Sequence, residues 1–261
     1  MTTRTQTSWT DLVDALPGLG LEEVDARAAL QTRVDRKYVV DPRTWGEVLA
    51  TLDRPGVLEI DGRRSFGYSS TYYDTEELDS YRDAARRRPR RYKVRTRRYL
   101  DTGSAAIEVK LRASSGATAK SRQWLPEAPA DAPLPAEAVA FVGGFDRIGV
   151  RADRLGAVLT TAYQRVTLVT ADARITVDRD VTAVDSDGRR LDYGDLLIVE
   201  TKSAGRPGAV DRALWARGIR PTRLSKYATS LAVLRPDLPA HPWTRSIRRH
   251  LPAAAGSGAA A

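Results

Sequence analysis

The stretch "RRYKVRTRRYL", residues 90–100, sets Arg91, Lys93, Arg95 and Arg97 in alternation with Tyr92, Val94 and Thr96. Side chains alternate across an extended strand, so this segment has one basic face and one face suited to a core. The same two-sidedness recurs. "AAIEVKLR" sets Glu108, Lys110 and Arg112 opposite Ile107, Val109 and Leu111, and "ATAKSRQW" aligns Lys120 with Arg122. "RVDRKYVV" aligns Arg33, Asp35 and Lys37, and "TAYQRVTL" places Arg165 in line with Tyr163 and Thr167. "ARITVDRD" sets Arg174, Thr176 and Asp178 opposite Ile175 and Val177, and "LLIVETKS" sets Glu200 and Lys202 opposite Val199 and Thr201.

One strand with a solvated face is ordinary; a series of them, each carrying cations, constrains the fold. An open sheet would offer a basic platform. A closed barrel would turn the charged faces inward, with helices over the apolar outside. Amphipathic helical segments favour the barrel. A lumen of unpaired cations repels itself unless it holds a polyanion. Phosphate chains suit it, since arginine grips them by bidentate forks and lysine acts as a point charge.

The rest of the chain reads as α+β with many antiparallel strands, among them separate strands at 173–178 and 181–185, and no internal repeat. Residues 1–29 form a lead-in with one helix ("LEEVDARAAL"), 30–235 form the main domain, and 236–261, rich in Pro, Arg and Ala, read as a disordered tail. Asp41 and Pro42 mark a helix start. "TEELDSYRDAARRR" reads as a helix running from acidic to basic, as its dipole favours. Tyr72, Tyr73 and Asp74 read as structuring a strand end, and Arg86, Arg87 and Arg88 as a solvated helix end.

Composition removes several chemistries. The chain has no cysteine and two histidines, His241 and His250, both in the tail. Disulfides, Cys-ligated zinc, Ser-His-Asp triads and His-ligated metals are therefore set aside. No membrane-spanning apolar run and no secretory signal pattern is present, which fits a cytoplasmic protein. The net charge of +9 calls for an anionic partner. The six lysines, against a strong default to arginine, mark positions of interest: Lys37, Lys93, Lys110, Lys120, Lys202 and Lys226. Nucleic acid is disfavoured, since the basic faces carry few aromatics for stacking.

In order, "RVDRKY", "YYDTEELDSYRD", "RYKVRTRRY", "IEVKLR", "KSRQ", "ARITVDRD", "IVETK" and "LSKY" resemble the VTC domain. This is the catalytic domain of vacuolar transporter chaperone polyphosphate polymerases, in the CYTH/triphosphate tunnel metalloenzyme superfamily. The resemblance implies an antiparallel β-barrel tunnel with a basic lumen, covered by helices. It also implies transfer of the γ-phosphoryl of ATP to inorganic polyphosphate, releasing ADP, with Mn²⁺ or Mg²⁺. Lys37, Arg95, Arg97, Lys110, Lys120, Arg165, Arg174, Lys202 and Lys226 are then implied as catalytic tunnel cations, and Glu200 as the metal ligand. Ser225 matches a closing phosphate-contact motif. Arg122, beside Lys120, and Lys93, which shares the basic face but matches no motif position, join as substrate-binding residues. Glu108 and Asp178 read as ion-pair partners.

Hydrolytic tunnel enzymes carry ExExK on the first strand. Here Arg33 replaces the first acid, which weakens triphosphatase and cyclase readings. A tunnel triphosphatase and a non-catalytic polyanion-binding module stand as alternatives. No SPX domain or membrane helix accompanies the motifs, which leaves room for a separate membrane partner. Oligomeric state is not legible.

Overall fold

The computed structural model describes residues 8–27, 34–115, 118–126 and 133–251. In chain order its elements are α1 (Trp9–Asp14), β1 (Gly18–Leu19), α2 (Leu21–Arg27), β2 (Val34–Val40), α3 (Pro42–Leu49), β3 (Gly56–Leu58), β4 (Ser65–Asp74) and α4 (Asp79–Ala85). There follow β5 (Arg91–Tyr99), β6 (Ala105–Arg112), β7 (Thr118–Leu125), α5 (Ala136–Gly143), a 3₁₀ segment (Gly149–Arg154), β8 (Gly156–Val169) and β9 (Ala173–Asp185). The last are β10 (Arg190–Asp192), β11 (Leu197–Ser203), α6 (Ala209–Ala216), α7 (Lys226–Leu234) and α8 (Thr244–His250). The α+β class and the largely antiparallel pairing are as expected; β1 and β3 pair in parallel. Among the described residues no helix is long and apolar enough to cross a membrane.

The chain divides into two units. The first takes its described residues from 1–66, 164–180 and 194–222, the second from 67–163, 181–193 and 223–261.

In the first unit β11 pairs antiparallel with β2 on one side and β9 on the other, so Glu200 faces Lys37 across one ladder and Thr176 across the other. Tyr38, Val40, Ile175, Val177, Leu197 and Val199 take the opposite face. They bury with Trp9, Trp45, Val48, Val210 and Leu214 from α1, α3 and α6. Asp41 caps α3 by accepting from the Thr44 amide at 2.8 Å, with Pro42 in the first turn where its missing N–H is harmless. Asp211 of α6 is fully buried. It accepts hydrogen bonds from the hydroxyls of Tyr38 and Thr201, both at 2.7 Å, from the Gly208 amide at 2.8 Å and from Arg36 at 3.4 Å. A buried carboxylate is tolerable only with such a set of donors, and this one fastens α6 to β2 and β11.

In the second unit β4, β5, β6 and β7 form consecutive antiparallel pairs, with β8 next to β4. Tyr92, Val94, Ile107 and Val109 bury against Leu134, Ala138, Val142 and Ile148, on α5 and its flanks. Asp74 ends β4 and accepts from the amides of Thr75, Ser80 and Tyr81, each at 2.9 Å, and from the Tyr227 hydroxyl at 2.7 Å. That confirms the strand-end role expected of Asp74.

Four expectations are corrected. The helix expected from residue 75 starts at Asp79, because Leu78 adopts the left-handed conformation (φ 59°) and Asp74 receives the amides of the first turn. The strands expected at 173–178 and 181–185 are one, β9, which carries Asp180 at φ 53° without ending; short polar Asp tolerates that region. The lead-in holds α1 as well as α2. The tail expected to be disordered forms α8, because buried Trp243 and Ser246 anchor it; the Ser246 hydroxyl donates to the Arg223 carbonyl at 2.8 Å. Residues 252–261 lie outside the described ones, as does Arg33.

Candidate functional site

In the second unit the strand registers convert sequence parity into rows. Tyr72, Arg95, Glu108 and Arg122 align across β4 to β7, and Lys93, Lys110 and Lys120 align two residues along. Glu108, 2% exposed, is the hub. Its Oε2 lies 2.6 Å from Arg95 and 3.8 Å from Arg97; its Oε1 lies 2.6 Å from Lys120 and 3.1 Å from Arg122. Burial opposes ionisation of Glu108, but Arg95, then Arg97 and Lys120, outweigh it and hold the carboxyl well below the ordinary range. Lys120 shows the converse. Burial, reinforced by Arg122 and Arg97, pushes its ammonium down to about 8 despite Glu108. Arg95 is held charged by Tyr72 and Glu108 against its own burial.

One carboxylate therefore restrains four cations, a local excess of positive charge. Arg97 makes the excess concrete. It is nearly buried, and its Nε finds no hydrogen-bond partner among the described residues. Ser70, directly across the β4–β5 ladder, has a buried hydroxyl in the same condition. Buried donors are rarely left so, and an oxygen-rich anion would satisfy both.

Aromatic rings flank these cations, correcting the expectation that the basic faces carry few. Tyr68 stacks on Tyr163 with centroids 5.4 Å apart, and Tyr72 on Tyr227 at 5.1 Å. The Arg97 guanidinium lies 5.4 Å from the Tyr68 ring, the Lys226 ammonium 4.2 Å from Tyr163, and the Lys93 ammonium 5.8 Å from Tyr72. Such contacts hold cations over ring faces without neutralising them. The parity that aligned Arg97 with Lys93 also reaches Tyr99, and the parity of Arg165 reaches Tyr163, so the signal was in the sequence. Lys93, unmatched by any motif, donates to the Ser225 hydroxyl at 2.9 Å. Ser225 caps α7, where Lys226 is the first residue, and accepts from the Ala228 amide at 3.2 Å. Ser225, Lys226 and Lys93 are thus brought together.

The first unit has its own cluster. The Glu200 carboxylate lies 3.9 Å from the Lys37 ammonium. Burial works against its charge, but Lys37, Lys202 and Arg165 hold it down at about 2. Asp178 takes Arg165 in a two-bond fork, Nε at 2.6 Å and Nη2 at 2.8 Å, the ion pair expected of it. Arg174 bonds Asp25 of α2 at 3.0 Å, a partner the sequence did not suggest, while its buried Nε and the Thr176 hydroxyl opposite Glu200 have no hydrogen-bond partner among the described residues.

Among the described residues no three acidic or histidine side chains converge as a ready-made metal cage. Asp178 is committed to Arg165 and Asp35 is exposed opposite Lys202, which leaves Glu200 as the half-buried ionised oxygen donor of this face. One carboxylate suits Mg²⁺ or Mn²⁺ when substrate phosphates and water complete the shell, as hard octahedral cations prefer. The donor set fits such an ion.

No curated protein matches the chain. Its fold resembles that of a candidate adenylate cyclase from Vibrio parahaemolyticus, 13% identical, with a TM-score of 0.44 over 77% of this chain and 98% of that one. A candidate adenylyl cyclase from Hippeastrum, described as having a dominant triphosphatase activity, is 14% identical, with a TM-score of 0.46 over 79% of this chain and 96% of that one. The Schizosaccharomyces pombe RNA triphosphatase Pct1 is 12% identical, with a TM-score of 0.25 over 72% and 77% of the two chains. The family model of the VTC domain matches residues 32–235, which contain every cation of both clusters together with Glu108, Asp178 and Glu200, and the chain belongs to the VTC domain family.

Proposed function

We propose that the protein is a polyphosphate polymerase that moves the γ-phosphoryl group of ATP onto the end of an inorganic polyphosphate chain. The observation that carries the reading is the nearly buried Arg97, with an orphaned Nε, in a group of four cations that share the single carboxylate of Glu108. In this reading Arg95, Arg97, Lys120 and Arg122 grip nucleotide phosphates. Lys93, Lys110, Ser225 and Lys226 extend the grip, and Lys37, Arg165, Arg174 and Lys202 neutralise further phosphate charge. Bound Mg²⁺ or Mn²⁺ would be held by Glu200 and would supply charge neutralisation on phosphate oxygens.

A terminal oxygen of the acceptor chain attacks the γ-phosphorus, the bond from that phosphorus to the β–γ bridging oxygen breaks, and ADP leaves with the electron pair. Phosphoryl transfer of this kind asks for positioning and charge stabilisation rather than covalent catalysis. The nucleophile is already ionised near neutral pH, so a site without histidine or cysteine is adequate. Arg33 in place of the first acid of ExExK supports transfer to a phosphate chain over transfer to water.

Incubation of purified protein with ATP and Mn²⁺, followed by gel separation, tests the reading. Long phosphate chains with ADP are expected. Orthophosphate as the main product would make the protein a triphosphatase, and tight polyphosphate binding without turnover would make it a binding module.

A further inference from the structure

The cation rows of β5–β7 do not stop at Lys93 and Lys110. One register further along, Arg91 faces Arg112 directly across the β5–β6 ladder. Like charges so placed repel and destabilise the pair. The carboxylate whose field reaches Arg91 is Asp83, and it is ion-paired to Arg147 at 3.0 Å. Beyond Arg91 the chain runs back through "RRRPR", where Arg86, Arg87, Arg88 and Arg90 are all exposed. No ion pair to any of these four, to Arg91 or to Arg112 occurs among the described residues.

The turn is also built rather than loose. The Arg91 guanidinium donates to the Arg88 carbonyl at 2.8 Å, and Arg147 donates to the Arg90 carbonyl at 2.9 Å. Arg87 sits at φ 55°, where glycine is the low-strain choice and a long cation is not. A basic helix end needs neither a like-charge pair in register nor a pinned turn.

We infer that Arg86, Arg87, Arg88, Arg90, Arg91 and Arg112 form a docking surface for a long inorganic polyphosphate chain, outside the grip on its reacting end. This rests on the polymerase reading for the identity of the polyanion. Geometry gives the continuity: rows at Arg95, Lys93 and Arg91 follow one strand face at intervals of about 7 Å, and end at the arginine turn. Polyphosphate fits better than RNA because the exposed turn offers only arginine and Pro89, with no ring on which a base could stack. A chain held here stays attached between additions, and the benefit grows with chain length.

The test is binding, not turnover. Affinities for tripolyphosphate and for polyphosphate of about 100 residues are measured at several KCl concentrations, for wild type and for R87G/R88Q/R90Q. Glycine suits the positive φ at 87, and the carbonyls that pin the turn remain. Each cation removed from a contact with a single-stranded polyanion should lower the salt dependence by about 0.7. The triple variant should therefore lose about two in the slope of log K against log salt, and about tenfold or more in long-chain affinity at low salt. Tripolyphosphate affinity should stay within twofold. Unchanged long-chain affinity, or an equal loss for both ligands, overturns the proposal. So does wild-type binding of poly(A) RNA as tight as that of polyphosphate, lost in the same variant. A protein that makes no polymer from ATP, yet shows the chain-length-selective loss, refutes the polymerase reading and keeps this surface.

Discussion

Replacing Glu108 with Gln removes one charge and leaves four cations facing each other. Gln keeps the volume, so the effect is electrostatic. Glu108 is nearly inaccessible, and deleting one partner of a buried ion cluster costs about 3–5 kcal/mol. Lys120 and Arg122 reach solvent and can relax, which places the expectation near the lower bound, about 3 kcal/mol. For a chain of this size that corresponds to a Tm lower by roughly 6–12 °C. An anion that replaces the lost carboxylate should recover part of it. At 100 times its Kd, tripolyphosphate stabilises wild type by about 2.7 kcal/mol. If half the repulsion is relieved by the ligand, the variant binds about tenfold more tightly, gains about 4.1 kcal/mol, and the gap closes to roughly 1.6 kcal/mol. Because the folded-state pKa of Glu108 is depressed, its contribution is complete above the ordinary carboxylate value of 4.5 and fades as pH falls through the lower folded value. The difference between the proteins should persist at pH 5 and shrink in stronger acid. Differential scanning fluorimetry with and without tripolyphosphate reads both effects. An E108Q protein as stable as wild type, or one no better rescued by the anion, would refute the reasoning.

The other predictions concern both clusters. Lys120 is half-deprotonated near pH 8, so tripolyphosphate affinity should decline as pH rises beyond 8 in wild type but not in K120R, whose guanidinium stays charged; parallel titration curves would remove Lys120 from the grip. The same depressed value makes charged Lys120 a cost to the fold below pH 8, relieved as pH rises from 8 toward 10.5. R95A/R97A should abolish measurable ATP binding by calorimetry while the fold persists, and intact binding would sink the nucleotide-grip assignment. E200Q should eliminate Mn²⁺-dependent turnover and leave metal-free polyphosphate binding within twofold; an unchanged rate would dismiss Glu200 as the metal ligand. D211A should destabilise the chain by about 3 kcal/mol or more in urea unfolding, since it orphans two buried hydroxyls and leaves Arg36 without its carboxylate.

Which residues share a face was legible, because strand parity is strict. Arg91, Lys93, Arg95 and Arg97 lie together for the reason that Tyr92 and Val94 bury together. Register was not legible. Glu108 could be placed on a basic face, but that it sits opposite both Arg95 and Arg122 depends on pairing with two other strands. Nor could local sequence reveal that Lys93 meets Ser225, 132 positions away. The aromatic neighbours of the cations obey the same parity, Tyr99 in line with Arg97 and Tyr163 with Arg165, whereas Tyr68 joins them only through the β4–β5 register. The end of α8 in a Pro- and Arg-rich tail shows the limit of composition: a few buried anchors such as Trp243 outweigh polar surroundings.

Labelled ATP tests the central claim most directly. The protein is incubated in parallel with ATP carrying ³²P at the γ or the α position, with Mn²⁺, and the products are resolved by size. The account predicts γ-label in a ladder of polyphosphate and α-label confined to ATP and ADP. Gamma-label found only in orthophosphate, or α-label leaving as a cyclic nucleotide, would contradict it.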